Sequence, residues 1–393
     1  VAAKISTSCS FRALEKLVVA MNLYLNLELG QPCYGTILIW TKKVGLFSMQ
    51  PSIQKSNDWV LIIDESIAVG HERLLVIYGV RISQIEFNRA LTYSDLTPLF
   101  IKSSNTWTAD IIKKEIENLI EKWGDVKYIV ADGGNAICKS IKLLKKEHVY
   151  DITHKMAWLL KNTYSKDESF IGYSKEMAQM RFKGVCSNVA HIIPPKQRVN
   201  SRFMNLDILS NWGEKALNCL KSSKKDCKIF EKLSWVKGYE DLINELNLIN
   251  SIITEVKSIL KIKGLSKKTF NNVTEIINKC QTENIRVLSF NTSLLDYLKE
   301  TLMKLPDEKK LLCTSDIIES SFGKYKNYMS QNSMAGITDL SLCLASFTSQ
   351  LNATELKAGL EKTKINDLKK WSKENIGETN FSKRKKALKI TRG

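Results

Sequence analysis

Trp59-Val60-Leu61-Ile62-Ile63-Asp64 decides how this chain is read. Five consecutive apolar residues, most of them β-branched or aromatic, predict a strand buried on both faces. The run ends on a carboxylate, which needs a physical reason, because an unpaired buried carboxylate is costly. The pattern recurs at Tyr128-Ile129-Val130-Ala131-Asp132, followed by Gly133-Gly134-Asn135. Between the two, residues 74–82 read as a second strand, and 90–103 is ambiguous and holds room for a third. Thr108 is placed to cap a helix with Ile112, Ile116, Leu119, Ile120 and Trp123 on one face. A helix is expected over 137–145, then a short strand over 149–153. Strands alternating with helices around one mixed sheet give an α/β class.

A third acid, Glu319, lies in Thr314-Ser315-Asp316-Ile317-Ile318-Glu319-Ser320-Ser321-Phe322-Gly323-Lys324-Tyr325-Lys326, which reads as a helix. Glu319, Gly323 and Lys326 share one helical face. Two strand-end aspartates and one helix glutamate can converge on two divalent cations, which activate a water or hydroxyl and stabilise the oxygen leaving phosphorus. Carboxylate oxygens suit hard ions such as Mg²⁺. The plainer readings are a solvent-facing strand end for Asp64, an Asp-Gly-Gly turn for Asp132 and a solvated helix for Glu319. Glu65 alternates to the other face of its strand and is the weaker candidate.

With these residues in view, the chain resembles the DDE transposases of the bacterial insertion-sequence type. The resemblance covers most of residues 10–350 and is carried by the Asp64 strand, the Asp132-Gly133 segment and the Glu319 helix. Glu319 and Lys326, with six residues between them, match that family's glutamate–lysine spacing. The fuller signature has an arginine four residues before the glutamate and a tyrosine three before that, where this chain has Ser315 and Leu312. The resemblance implies an RNase H-like core with Asp64, Asp132 and Glu319 as catalytic metal ligands. It implies two Mg²⁺ ions, with Mn²⁺ as a substitute. The substrates would be double-stranded DNA, both transposon ends and target, bound by a homodimer. The implied chemistry is phosphodiester hydrolysis followed by strand transfer. Two alternatives stay open: a metal-dependent nuclease without strand transfer, and a domesticated transposase acting as a DNA-binding regulator. The implied location is cytoplasmic, nucleoid-associated if the source is bacterial.

Charge agrees with a nucleic-acid partner. Lys and Arg number 59 against 41 Asp and Glu, a formal net charge of +18. Phosphates exchange their counterions for such side chains. Nine cysteines without a C-x-x-C pair argue against a zinc site or disulfide framework and suit a reducing compartment. No apolar run approaches the ~20 residues needed to cross a bilayer, so no membrane partner is expected.

Five regions follow. Residues 1–50 are expected to hold a helix-turn-helix: Ser10 caps a first helix, Pro32 opens a second and Gly45 ends it. That second helix would enter a major groove, with Lys42 and Lys43 near phosphates; an ordinary helical hairpin is the alternative. Residues 51–164 and 306–350 are the two parts of the core. Residues 165–305 form a large all-α insertion, with a stripe Leu242, Leu246, Ile249, Ile253, Val256 stopped by Gly264 and further helices over 267–279 and 291–304. Residues 351–393 are a helical, basic tail. Lys324, Tyr325, Arg198 and Arg202 are further candidate DNA contacts. His154 is a possible accessory at the catalytic centre, or a packed histidine. Trp212 and Trp235 are either core or a platform for an extruded base.

Overall fold

The computed structural model describes residues 1–50, 55–67, 72–197, 199–222, 228–329, 336–349 and 352–390; nothing is said of side chains at 199–201 and 389–390. The chain divides into two compact units. One comprises residues 1–86, 90–149 and 315–393, the other 87–89 and 150–314.

The first unit is built on a five-stranded sheet of β1 (Trp59–Ile67), β2 (Arg73–Arg81), β3 (Thr97–Ser104), β4 (Val126–Ala131) and β5 (Glu147–Tyr150), in the order β3-β2-β1-β4-β5. β1 is central, antiparallel to β2 and parallel to β4, and β2 is antiparallel to β3. This mixed α/β arrangement is the RNase H-like sheet expected from the alternation of elements. The helices are α1 (Ala2–Ser6), α2 (Phe11–Leu25), α3 (Tyr34–Ser48), α4 (Ala109–Trp123) and α5 (Asn135–Leu143). Thr108 caps α4 by accepting from Ile111, as its sequence suggested.

Side-chain alternation along β1 splits the sheet into two faces. Leu61, Ile63, Ile77, Ile129 and Ala131 pack with Ile112 and Ile116 of α4 and Ile137 and Ile141 of α5. Val60, Ile62, Tyr78 and Val130 on the other face are fully buried too.

The second unit holds α6 (Ile152–Tyr164), α7 (Glu168–Gly184), α8 (Leu206–Ser222), α9 (Lys228–Leu233), α10 (Glu240–Lys263), α11 (Lys267–Lys279) and α12 (Ile285–Lys304). It is all-α in its described residues apart from one bridge between Leu265 and Leu311, as the periodicity required. It takes up the chain at Tyr150 and returns it at Thr314, a wider span than 165–305. The reason is local pairing. Ile152 donates to the Cys313 carbonyl (2.9 Å), and the Tyr297 hydroxyl donates to the Tyr150 carbonyl (2.7 Å).

The chain then completes the sheet unit with α13 (Asp316–Met329), α14 (Leu342–Ser346), α15 (Ala353–Lys362), α16 (Ile365–Asn375) and α17 (Asn380–Ile390). The Tyr78 hydroxyl meets Ser321 Oγ of α13 (3.4 Å) and the Leu344 carbonyl of α14 (3.1 Å), so these two helices cover the second face.

The helix-turn-helix expectation is corrected here. α3 packs against α14, α15 and α16 besides α2, which leaves it no face for a DNA groove. Ile37, Thr41, Val44 and Leu46 are buried. Gly45 does not end the helix; it sits mid-helix because a Cβ there would lie 2.1 Å from the Leu342 carbonyl oxygen. Lys42 pairs with Asp339 at 2.7 Å and Lys43 donates to the Leu360 carbonyl at 3.0 Å, so both side chains serve internal contacts rather than phosphates. The hairpin alternative is the one observed.

Candidate active site

β1 and β4 run parallel, and their last paired residues are Ile63 and Ala131. The next residue on each strand is an aspartate. Asp64 and Asp132 therefore sit side by side where the β1–β4 ladder ends, about 4.8 Å apart along the hydrogen-bonding direction. Asp132 follows the end of β4, whereas β1 runs on past Asp64 to Ile67 against β2, which corrects the strand-end reading of Asp64. Both are half-buried. Each accepts a backbone N–H: Asp64 Oδ1 from Glu65 (2.7 Å) and Asp132 Oδ1 from Gly134 (2.9 Å). The second bond makes the tight exit that Gly133-Gly134 suggested, and a Cβ on Gly134 would lie 3.1 Å from that same oxygen.

Glu65 joins this corner. Burial pushes its carboxyl above the usual range; Arg73, 3.3 Å away, pulls it back, while the charge of Asp132 adds to the upward push. Strand alternation alone assigned Glu65 to the other face and missed this coupling. The signal available in the sequence was its place directly after Asp64.

α13 lies on β1 through a buried stripe of Ile318, Ser321, Phe322 and Tyr325. Glu319 flanks that stripe and is half-buried, while Gly323 and Lys326 on the same flank are exposed. A Cβ at Gly323 would meet nothing within 4 Å, so this flank is open. Among the described residues no three His, Cys, Asp or Glu side chains gather closely enough to hold one metal ion. The arrangement is thus a pair of aspartates at the end of the β1–β4 ladder, with Glu319 on the helix that covers the same sheet.

Lys324 and Tyr325 are turned away from this flank, which corrects their reading as DNA contacts. Lys324 Nζ donates to the Ile5 carbonyl and lies 4.4 Å from the centre of the Phe347 ring. Tyr325 is 2% exposed. The back of α13 instead anchors α1: the Tyr328 hydroxyl donates to the Lys4 carbonyl (2.7 Å), and Lys4 Nζ sits 3.3 Å from the Tyr328 ring centre. Burial lowers the Lys4 ammonium to about 8.

The remaining candidates lie in the helical unit. His154 occupies the first turn of α6, where its backbone N–H donates to Asp151 Oδ1 (2.9 Å). Trp212 and Trp235 stack on each other with ring centres 6.0 Å apart, and Trp235 also meets Tyr173 and Tyr239. Both rings are half-buried in an aromatic cluster, as the core reading expects. Arg202 is half-buried with its Nε enclosed and without an acceptor among the described residues. Arg198 lies outside the described residues.

No protein-family model matches this sequence, and no curated protein does. Among solved structures the chain is similar to the Drosophila P element transposase strand transfer complex, at 14% identity and a TM-score of 0.44, covering 91% of this chain and 93% of that one.

Proposed function

We propose that the sheet unit is the catalytic centre of a DNA transposase of the insertion-sequence type, which cuts at transposon ends and joins the exposed 3′-hydroxyl to target DNA. The observation that carries this reading is the strand register that sets Asp64 beside Asp132, with the Glu319 helix on the same sheet. A net charge of +18 supports a DNA partner. The reading includes a homodimer assembled on DNA, in the cytoplasm.

The donor set fits a hard divalent cation. Mg²⁺ commonly takes one or two carboxylates and fills its shell with waters and substrate phosphates. Asp64 and Asp132 supply that pair, and Glu319 a third carboxylate from α13. Bound there, such ions would activate the attacking water or hydroxyl and stabilise the oxygen leaving phosphorus. The protein's own part is positional. The Gly134 amide fixes Asp132, and the Glu65 amide fixes Asp64. Gly323 leaves space for a DNA backbone along the open flank of α13. Lys326, about 10 Å along the helix from Glu319 by rise, holds a phosphate next to the reacting one. An in-line displacement needs no protein nucleophile, so no Ser-His or Cys-His arrangement is required.

The test is incubation of the full chain with Mg²⁺ and DNA fragments carrying the inverted repeats that flank its gene, followed by sequencing of the products. Junctions between those ends and new DNA support the proposal. Cleaved ends that never join select the nuclease alternative. Binding without cleavage selects the regulator.

A further inference from the structure

The helical unit contains a groove of about 1170 Å³ that the catalytic reading does not use. It is formed where α10 ends, α11 begins and α12 meets the loop before α13. Six lysines line it: Lys263, Lys267, Lys268, Lys299, Lys309 and Lys310. Glu308 is the one carboxylate among its lining residues. None of the six lysines forms an ion pair among the described residues. Lys310 instead lies 5.4 Å from the ring centre of Phe87. Six like charges around one groove repel each other, and a polyanion relieves that repulsion.

The floor has a different character. Phe87, Ile262, Leu302, Met303, Leu305 and Pro306 give it apolar surface, and Met303 is 70% exposed. Phe87 is held there by Gly264, whose φ of +64° only glycine adopts freely and whose missing Cβ would fall 2.5 Å from the Phe87 ring. The first turn of α11 adds backbone N–H donors and the positive end of its dipole, since Ser266 Oγ satisfies only Thr269.

We propose that this groove binds an unpaired strand of nucleic acid, with phosphates along the lysine rim and bases against the apolar floor. Charged rims over apolar or aromatic platforms are the usual construction for unpaired strands, whose bases are free to stack. A duplex hides its bases and would use the lysines alone. The groove also exceeds the roughly 300–1,000 Å³ of small-molecule pockets, which favours a strand over a free nucleotide. The proposal rests on the DNA reading above to the extent that an unpaired strand arises when transposon ends are opened.

The test measures binding of the full chain to labelled oligothymidylate and to a duplex of equal length, by fluorescence anisotropy over a range of salt. The variant Lys267→Ala/Lys299→Ala/Lys309→Ala should lower the salt slope for the single strand by about 2, at about 0.7 for each phosphate contact. Met303→Glu changes an exposed residue, so folding is not at risk. It should weaken single-strand binding at least about fivefold and leave duplex binding unchanged. The control Lys362→Ala/Lys369→Ala/Lys370→Ala, in the sheet unit, should leave the single-strand slope in place. An equal slope loss in that control overturns the proposal, as does equal weakening of both oligonucleotides by Met303→Glu. Displacement of the strand by inorganic triphosphate but not by unlabelled oligothymidylate also overturns it, in favour of a free nucleotide. The catalytic reading fails separately: an enzyme that never cuts DNA but loses strand binding in these variants keeps the groove and loses the active site.

Discussion

Asp64 and Asp132 in the sheet unit contrast with Glu245 in the helical unit. Glu245 is 6% exposed, yet its charge is answered on every side. Arg286 Nη2 lies 2.6 Å from Oε2, Asn284 donates to the same oxygen at 2.9 Å, and the Tyr164 hydroxyl donates to Oε1. Arg286 also reaches Asp167 at 2.5 Å. Asp64 and Asp132 are less buried; each accepts a backbone N–H, and Glu65 beside them pairs with Arg73 while feeling the charge of Asp132. A carboxylate surrounded by donors contributes to holding a fold together. Half-buried carboxylates gathered at one corner of a sheet suit a hard cation. On the proposed reading, the same side chains take structural or catalytic roles according to what surrounds them.

The widest break between the two regions should come from Asp64→Asn. On the proposed reading the change takes away a metal-binding charge and keeps the shape. Cleavage in Mg²⁺ should fall about 10³-fold or more, the loss of several kcal/mol of charge stabilisation in the transition state. Thermal stability should hold, because the amide keeps the shape of the carboxylate. Single-turnover cleavage and a melting curve check both halves. Wild-type cleavage, or a large drop in melting temperature, would assign Asp64 to the structural class with Glu245.

Arg286→Met should show the opposite pattern. It leaves Glu245 buried without its cation, which costs about 3 kcal/mol. Denaturant unfolding should register that loss while the Mg²⁺ requirement for cleavage stays the same. A stable variant would mean that Tyr164 and Asn284 suffice for Glu245.

Lys326→Ala and Lys324→Ala bring the comparison onto a single helix. Lys326 is exposed on the flank with Glu319, and Lys324 is tied to Ile5 and the Phe347 ring. Lys326→Ala should slow single-turnover cleavage by up to about 10²-fold with little change in DNA affinity, because one misplaced phosphate is costly in rate. Lys324→Ala should lower stability by about 1 kcal/mol, one hydrogen bond and one cation–π contact, and spare the rate at temperatures where the fold persists. Equal, small effects on cleavage would leave the Glu319–Lys326 spacing without a role.

What was legible in the sequence followed physical range. The run Tyr128–Ala131 lies wholly within β4 and ends with it, because an apolar run closed by turn residues encodes its own end. Thr108 and Gly264 marked helix ends for the same local reason. The pairing of Asp64 with Asp132 followed from two strands reaching a parallel register, which apolar patterning specifies strongly. What failed was partner choice. Nothing local to residues 34–48 says whether that helix meets DNA or α14, and Leu342, nearly three hundred residues on, decides it. Helix spacing already set Lys326 on the Glu319 face and Lys324 about 200° around from it, but what Lys324 meets there, Ile5 and the Phe347 ring, is fixed by distant packing. The bounds of the helical unit were missed because Ile152 and Cys313 find each other across more than 150 residues.

The smallest effect tests the sheet unit's own counterpart of Glu245. Asp58 stands just before β1 and accepts from Ser56 Oγ, Arg81 Nε and Ser83 Oγ, with the Ser83 amide at 3.3 Å. Burial raises its carboxyl, but the hydrogen bonds from Ser56, Ser83 and Arg81 outweigh that and hold it at about 2, below the ordinary 3.8. A carboxyl lower in the folded than in the unfolded chain contributes stability above the unfolded value, and the contribution disappears as pH falls through the folded one. Asp58→Asn should therefore cost about 1 kcal/mol at pH 7, discounted for partial exposure. The gap to wild type should close between about pH 4 and pH 2, because wild-type Asp58 becomes protonated there and loses what the variant already lacks. Denaturant midpoints at pH 7, 4 and 2.5 read this directly. A gap that stays constant through acid would mean that the Asp58 network acts by shape rather than by charge, and a carboxylate held by its charge would then be a feature of the helical unit alone.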